Sequence, residues 1–592
     1  MRARADRIVT LESLAFGAIV LVAIGLRLTQ LGWPPLAPAE AAAALDAARM
    51  TPEASALDPS SAPPLSAAYA AWTAVLFTAF GSSDALARLV PALAGIALLG
   101  LPVLLRRPLG RGAGVLAAFL IAISPAFVMV SRAAGGAALA MAAMVMAWGV
   151  LMRSDLDLMR RSGWIAALLG MAVAAGPDFF TGLLGIVLGL GLTALLSRRS
   201  EGVASTELRA LRFTARRELV LFLVVLVGAA TCVGLQRGAF SGLAVSLASW
   251  LQGWSQPGGM GVGTALVSLI VYEPLVLFGG IYASAAWRKS SSLNRSLIAW
   301  ALGALLVALA YPSRTAADLA WCLVPLALLA AQTLAEVVER LVQAEHKPFL
   351  LILVSILLLL AAFASVQLAA NARGIGRGPA FDPALELGLA IGALVLGLVI
   401  SVLFGLGWSW TLALNGGRVV AVLLFLAGSI SALWSLHFTA GAAKARELWR
   451  PEAATAESRL LLDTAHGVSI AQTGWPDALA LRLEAEASPV LAWTLRAFPL
   501  DVPTDSRAND LPRVILRPKD AQERELAADY VGQTFTLIER RAWSGILPSG
   551  LLNWLVKREA AVNPERWLLL VRADVASFGE FPAQPVAPGP GS

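Results

Sequence analysis

The chain has 592 residues, 58% of them hydrophobic and 14% charged, with a mean hydropathy of +0.72. These values exclude a soluble globular protein of this length and define a polytopic membrane protein. The net charge of +7 does not point to nucleic acid, because the basic residues fall in short clusters between apolar runs. These are Arg106 to Arg111, Arg153 to Arg161, Arg198 to Arg217, Arg288 with Lys289, and Arg340 to Lys347, a pattern that marks cytoplasmic loop ends.

Apolar runs of roughly 18 to 25 residues, enough to cross about 30 Å of hydrocarbon as a helix, recur from Ile8 to about Leu436. Their continuity, without alternation, excludes a transmembrane barrel. The spans are expected at about 8–30, 84–105, 112–130, 136–152, 163–176, 178–197, 218–237, 263–287, 297–312, 318–338, 349–371, 384–407 and 418–437, about thirteen in all. No small-residue cleavage site follows the first, so it reads as a retained helix. With the N-terminus inside, every basic cluster lies in the cytoplasm and the segment after the last span lies outside a plasma membrane. An additional span at Pro64 to Gly81 would invert that pattern, so this stretch is expected as a helix on the outer membrane surface.

The fold class expected is an all-α polytopic membrane domain, residues 1–439, followed by a small extracytoplasmic α/β or α+β domain, residues 440–581. Residues 32–83 form an outer loop with surface helices, and the Pro- and Gly-rich tail 582–592 is expected to be disordered. In the second domain Val514 to Leu516 and Trp567 to Val571 read as buried strands, and Ala521 to Tyr530 and Leu551 to Ala560 as helices. Cys232 and Cys322 both fall in spans and read as small buried residues, not as a disulfide or metal pair.

Several passages in order resemble the GT-C superfamily of membrane glycosyltransferases, which use polyprenyl-phosphate-linked sugars. They are the first span, the acidic loop Gly32 to Met50, Pro64-Leu65, Asp84 to Gly95, Arg106 to Arg111, Ser124-Pro125 and Ser131-Arg132. More narrowly, Ala248 to Gln252, Val271 to Leu275 and Ser488 to Arg496 look like the family of flippase-activity-associated membrane proteins. The resemblance implies a catalytic carboxylate in the first loop, a lipid carrier and an extracytoplasmic acceptor. This sequence departs from the pattern where chemistry is expected. The Asp-Glu pair reads Ala39-Glu40, a histidine before Pro-Leu reads Ala62, and Ala133 to Met141 carries no charge.

Transfer of a sugar from a lipid phosphate needs a base at the acceptor oxygen and positive charge at the departing phosphate. Glu40 is the candidate base, although a carboxylate at a helix N-terminus also contributes about 0.3–1 kcal/mol with no catalysis. Arg88, Arg132 and Arg314 are the candidate ligands of a donor phosphate. Asp46 is spaced to pair with Arg49 along a helix, and Glu273 is expected near the outer surface in a hydrogen-bonding role. Trp493 and Arg496 are candidates for an exposed recognition pair, with a core tryptophan as the other reading. No metal-ligand cluster and no cofactor is expected, a divalent metal entering only with an active enzyme. The expected partners are membrane lipids, a polyprenyl-phosphate-linked sugar and other membrane subunits. The functional expectation is a GT-C-derived pseudoenzyme serving as an accessory or structural subunit. The alternative is an active transferase with Glu40 as base.

Overall fold

The computed structural model describes residues 11–52, 63–153, 155–197, 215–256, 258–285, 291–343, 346–373, 383–439, 445–501, 512–520, 528–543, 545–546 and 551–576. The tail 582–592, Ala62 and residues 521–527 of the helix expected over Ala521 to Tyr530 lie outside them; the described end of that stretch is not helix, since Tyr530 begins a strand.

In hydrocarbon every backbone amide must find its partner within its own segment, so apolar runs become helices. Among the described residues eight helices are long and apolar enough to cross a membrane, beginning with α1 (Leu11–Leu28) and ending with Trp410–His437. Two further apolar stretches are bent helix pairs, each a broken span or a re-entrant loop: Arg111–Ile123 with Pro125–Arg132 at 55° and Val262–Tyr272 with Pro274–Ser284 at 96°. The other three expected spans carry shorter helices, Ala137–Leu151, Leu158–Ala174 and Ala215–Ala230, of 15 to 17 residues. The protein is therefore a helical multi-pass membrane protein whose expected spans all carry helix, with eight to ten by length and composition. Ala316–Val342 is the most deeply buried of the eight. Beside it, Asp178–Ser197 and Ser292–Ala310 cross at glycine: a Cβ on Gly303 would lie 2.7 Å from the Gly185 carbonyl oxygen.

Two short helices follow the first span. α2 (Pro38–Ala48) is alanine-rich with proline at its first position. α3 (Ala67–Phe80) begins at Ser66, whose hydroxyl accepts the Tyr69 amide. α3 is the helix expected over Pro64 to Gly81, and eight of its 14 residues are buried against its neighbours. α4 (Asp84–Ala97) follows, capped by Ser83.

The C-terminal part contains one six-stranded sheet: β1 (Glu452–Ala454), β2 (Leu481–Leu483), β3 (Leu500–Asp501), β4 (Val514–Pro518), β5 (Tyr530–Arg541) and β6 (Val562–Arg572). The spatial order is β1-β5-β6-β4-β2-β3. The β1/β5, β5/β6 and β6/β4 pairs are antiparallel, and β4/β2 and β2/β3 are parallel. A register shift in β5 lies between Thr536 and Ile538. With helices Glu457–Thr473, Pro489–Thr494 and Leu551–Lys557, this is a small α+β unit.

The sheet unit and the membrane part share a core. Leu36, Leu45, Tyr69 and Phe77 join one buried cluster with Leu461, Leu491, Trp493 and Phe535. Polar contacts fix the seat. The Trp493 indole donates to Asp84 at 2.8 Å, and Arg496 donates to the Ser82 hydroxyl at 2.8 Å and carbonyl at 2.7 Å. Trp493 is 4% exposed and lies in a helix. The expected exposed pair Trp493 and Arg496 is therefore an internal joint, because the indole and guanidinium find their partners at the start of α4. A second joint has the Tyr272 hydroxyl donating to Glu447 at 2.5 Å and accepting the Leu448 amide at 2.9 Å.

Candidate functional site

α2 places Glu40 one turn inside its N-terminus, where a carboxylate can accept freed backbone amides. The Ala37 amide donates to Glu40 Oε2 at 3.0 Å. Ala37 has no side-chain oxygen, so only this half of a reciprocal cap forms. The Ala134 amide donates to Oε1 at 2.9 Å. Arg88 reaches across from α4 and closes a fork, with Nε to Oε1 at 2.9 Å and Nη2 to Oε2 at 2.7 Å. The pair is enclosed, with 4% of the Arg88 side chain and 15% of the Glu40 side chain exposed. Burial alone would push the Glu40 carboxyl up. The Arg88 charge, the Arg88 hydrogen bonds and the two amides outweigh it and hold the group below the usual carboxylate range. A carboxylate with four donors on its two oxygens is a weak base in this geometry.

The remaining donors of Arg88 are also committed. Nη1 meets the Leu31 carbonyl at 3.2 Å and the Pro34 carbonyl at 2.6 Å, and Nη2 meets the Pro35 carbonyl at 3.4 Å. Arg132 Nη1 donates to the carbonyls of Leu26, Arg27 and Thr29, and its Nη2 to those of Gln30 and Trp33, so it caps the C-terminal end of α1. Arg314 caps Ser292–Ala310 through Ala308 at 3.0 Å and Leu309 at 2.8 Å, and it reaches the Met260 carbonyl at 2.5 Å. Arg27, which was not singled out in the sequence, does the same for Arg111–Ile123 through Ile121 and Ala122. A guanidinium is favoured at this end of the helix dipole and satisfies carbonyls that water cannot reach. Glu40 and Arg88 are thus brought together, whereas Arg132 and Arg314 sit at separate helix ends.

Glu273 occupies the break between Val262–Tyr272 and Pro274–Ser284 and is fully buried. It accepts the Ser124 hydroxyl at 2.5 Å and the Ala126 amide at 2.8 Å, linking the two bent pairs. This is the expected hydrogen-bonding role, made in the protein interior. Asp46 pairs with Arg49 at 3.4 Å as the spacing implies. Burial pushes the Asp46 carboxyl up to about 6, against the pull of Arg49 and the Leu65 amide.

The large cavity, of about 520 Å³, lies beside α2. Ala39, Ala42, Ala43 and Asp46 line it, but Glu40 does not. Its floor is Ala133 to Ala137, and its far wall carries Asp178, Trp250, Tyr311 and Asp318. Gly136 permits that floor, since a Cβ there would lie 1.7 Å from the Ala175 carbonyl oxygen. None of the described residues lining the cavity is Lys, Arg or His. Among the described residues no three His, Cys, Asp or Glu side chains converge as metal ligands. Asp178 and Asp318 were not singled out in the sequence; each lies in the first turn of a membrane helix, the first otherwise apolar and the second apolar up to Glu336. An acid at the head of a membrane helix is the signal that would have found them.

No family model and no curated protein matches the sequence. The fold does have relatives. ArnT from Cupriavidus metallidurans bound to undecaprenyl phosphate superposes over 95% of this chain and 98% of that chain, with a TM-score of 0.54 at 15% identity. The apo state of the same protein covers the same shares at 0.53 and 16%. The likeness at that identity is one of fold: the chain has the GT-C architecture, a membrane bundle with a smaller C-terminal domain.

Proposed function

We propose that this protein is a non-catalytic member of the GT-C architecture, an accessory or structural subunit of a membrane assembly. The observation that carries the reading is the pair of neighbours Ala39 and Glu40. The position that faces the cavity is alanine, and the carboxylate beside it is closed in a fork with Arg88. The three arginines that a donor phosphate would require have their donors on carboxylate or backbone oxygens. The cavity itself is lined by the carboxyls of Asp46, Asp178 and Asp318 and, among the described residues, by no cation, a lining that offers a phosphate no opposite charge. In this reading the chain lies in the plasma membrane with its N-terminus in the cytoplasm, residues 1–439 in the bilayer and 440–581 outside. No cofactor takes part, and a divalent metal would belong only to an active enzyme.

A second reading, an active transferase with Glu40 as base and Arg132 or Arg314 on a lipid phosphate, draws on the likeness to ArnT, whose structure holds undecaprenyl phosphate. Native mass spectrometry of the full chain from nanodiscs containing undecaprenyl phosphate or undecaprenol separates the two. Equal retention of both lipids is expected, as from a bundle that contacts lipid tails only. Retention that requires the phosphate and falls away in Arg314→Ala would overturn the non-catalytic reading.

A further inference from the structure

The cavity combines negative charge with an aromatic wall. Trp250 and Tyr311 lie 6.3 Å apart between ring centroids and 20° from parallel, with Trp254 edge-on to both. Their orientation is fixed: the Trp250 indole donates to the Thr181 hydroxyl at 3.1 Å, and the Tyr311 hydroxyl donates to the Trp250 carbonyl at 3.2 Å. Thr181 lines the cavity beside Asp318. Asp318 accepts the Thr315 amide at 2.8 Å and hydroxyl at 3.0 Å. Asp178 stands close enough to Asp318 for their charges to repel. Both line the cavity together with Tyr311. The acids and the rings therefore share one space; no described lining side chain is cationic, and the cation that acts on Asp318 is Arg314, outside the lining and bonded to backbone carbonyls.

We propose that the cavity binds an organic cation, an ammonium group held between Asp178 and Asp318 and against the faces of Trp250 and Tyr311. The proposal rests on the preceding reading, in which the cavity does not take a phosphate. A cation relieves the repulsion between the two acids and is attracted by the ring faces. A neutral sugar could stack on the same rings but leaves that repulsion in place. A bare divalent metal prefers six or more oxygen ligands, which two carboxylates do not provide. The volume of about 520 Å³ is in the range of small-molecule sites.

The probe is labelled choline, dialysed to equilibrium against the full-length protein in nanodiscs. Its competitors are the uncharged isostere with carbon in place of the quaternary nitrogen, a neutral methyl glycoside, calcium ion and undecaprenyl phosphate. The expected result is saturable choline binding, with the isostere and the glycoside at least tenfold weaker as competitors. Asp178→Asn and Trp250→Leu should each weaken choline at least tenfold. Among the described residues no side chain bonds Asp178, and its charge is buried beside Asp318, so its variant should melt no lower than the wild type. Absent binding, an isostere as good as choline, a stronger glycoside, or displacement by calcium at equal concentration each overturns the cation inference alone. Displacement by undecaprenyl phosphate, lost in the cavity variants, would instead overturn the reading on which it rests.

Discussion

Glu40 and Ala39 are neighbours on α2 and meet opposite surroundings. On the Glu40 side the helix faces Arg88, the Ala134 amide and a loop of proline carbonyls, and every charge has a partner. On the Ala39 side it faces an open cavity with Asp178 and Asp318 across the gap. The comparison separates two tasks that a first-loop acidic pair would combine. A carboxylate within the ion pair supports the fold and is costly to remove, whereas the cavity-facing position can be alanine without leaving a buried group unsatisfied.

The sharpest way to break this contrast is Arg88→Ala. It strands the Glu40 carboxylate and three carbonyls together, and a loss of about 3–5 kcal/mol is expected in denaturant unfolding in detergent. A loss under about 1 kcal/mol would mean that the pair is not structural. Arg314→Ala should cost less, about 1–3 kcal/mol, because carbonyls of one helix end lose a charged donor while no ion is stranded. If Arg314 instead serves a ligand, the melting temperature should stay unchanged while ligand retention falls.

Two pH profiles extend the comparison along α2. The Glu40 carboxyl is held below its usual value of 4.5. Its contribution to stability is therefore complete above that pH and is lost as the pH falls through the lower folded value. Glu40→Gln should flatten this acid limb of the melting curve. Asp46 behaves oppositely, being raised from 3.8 to about 6. Its contribution is present below pH 3.8 and lost as the pH rises through about 6. Asp46→Asn should therefore melt slightly higher than wild type at pH 8 and equal it below pH 4. A variant that melts lower at pH 8 would show that the Arg49 pair outweighs burial.

Much of the bundle was legible because a membrane helix needs only length and apolarity, both written in the sequence. The two bent pairs read as single spans by apolarity alone; each break directly precedes a proline, Pro125 or Pro274, which interrupts the helix locally, and a hydrogen bond between the distant segments joins the two breaks. β4 and β6 stood out as buried apolar runs. β5 did not: its polar residues alternate with Phe535 and Leu537 in a half-buried strand. Within the site, Glu40 and Arg88 were both named as candidates, but their pairing crosses 48 residues and no periodicity reveals it. The arginines were read by charge alone. Only the folded structure places their donors on the helix ends, where they cap α1 and Ser292–Ala310. Trp493 had two readings in sequence, and Asp84 decides for the buried one.

The most direct test is sugar transfer from a polyprenyl-phosphate donor by the full-length protein in nanodiscs, run beside Glu40→Gln. The account predicts no transfer above protein-free nanodiscs in either case. Transfer by the wild type that disappears in Glu40→Gln would contradict it and make the Arg88-paired carboxylate a catalytic base.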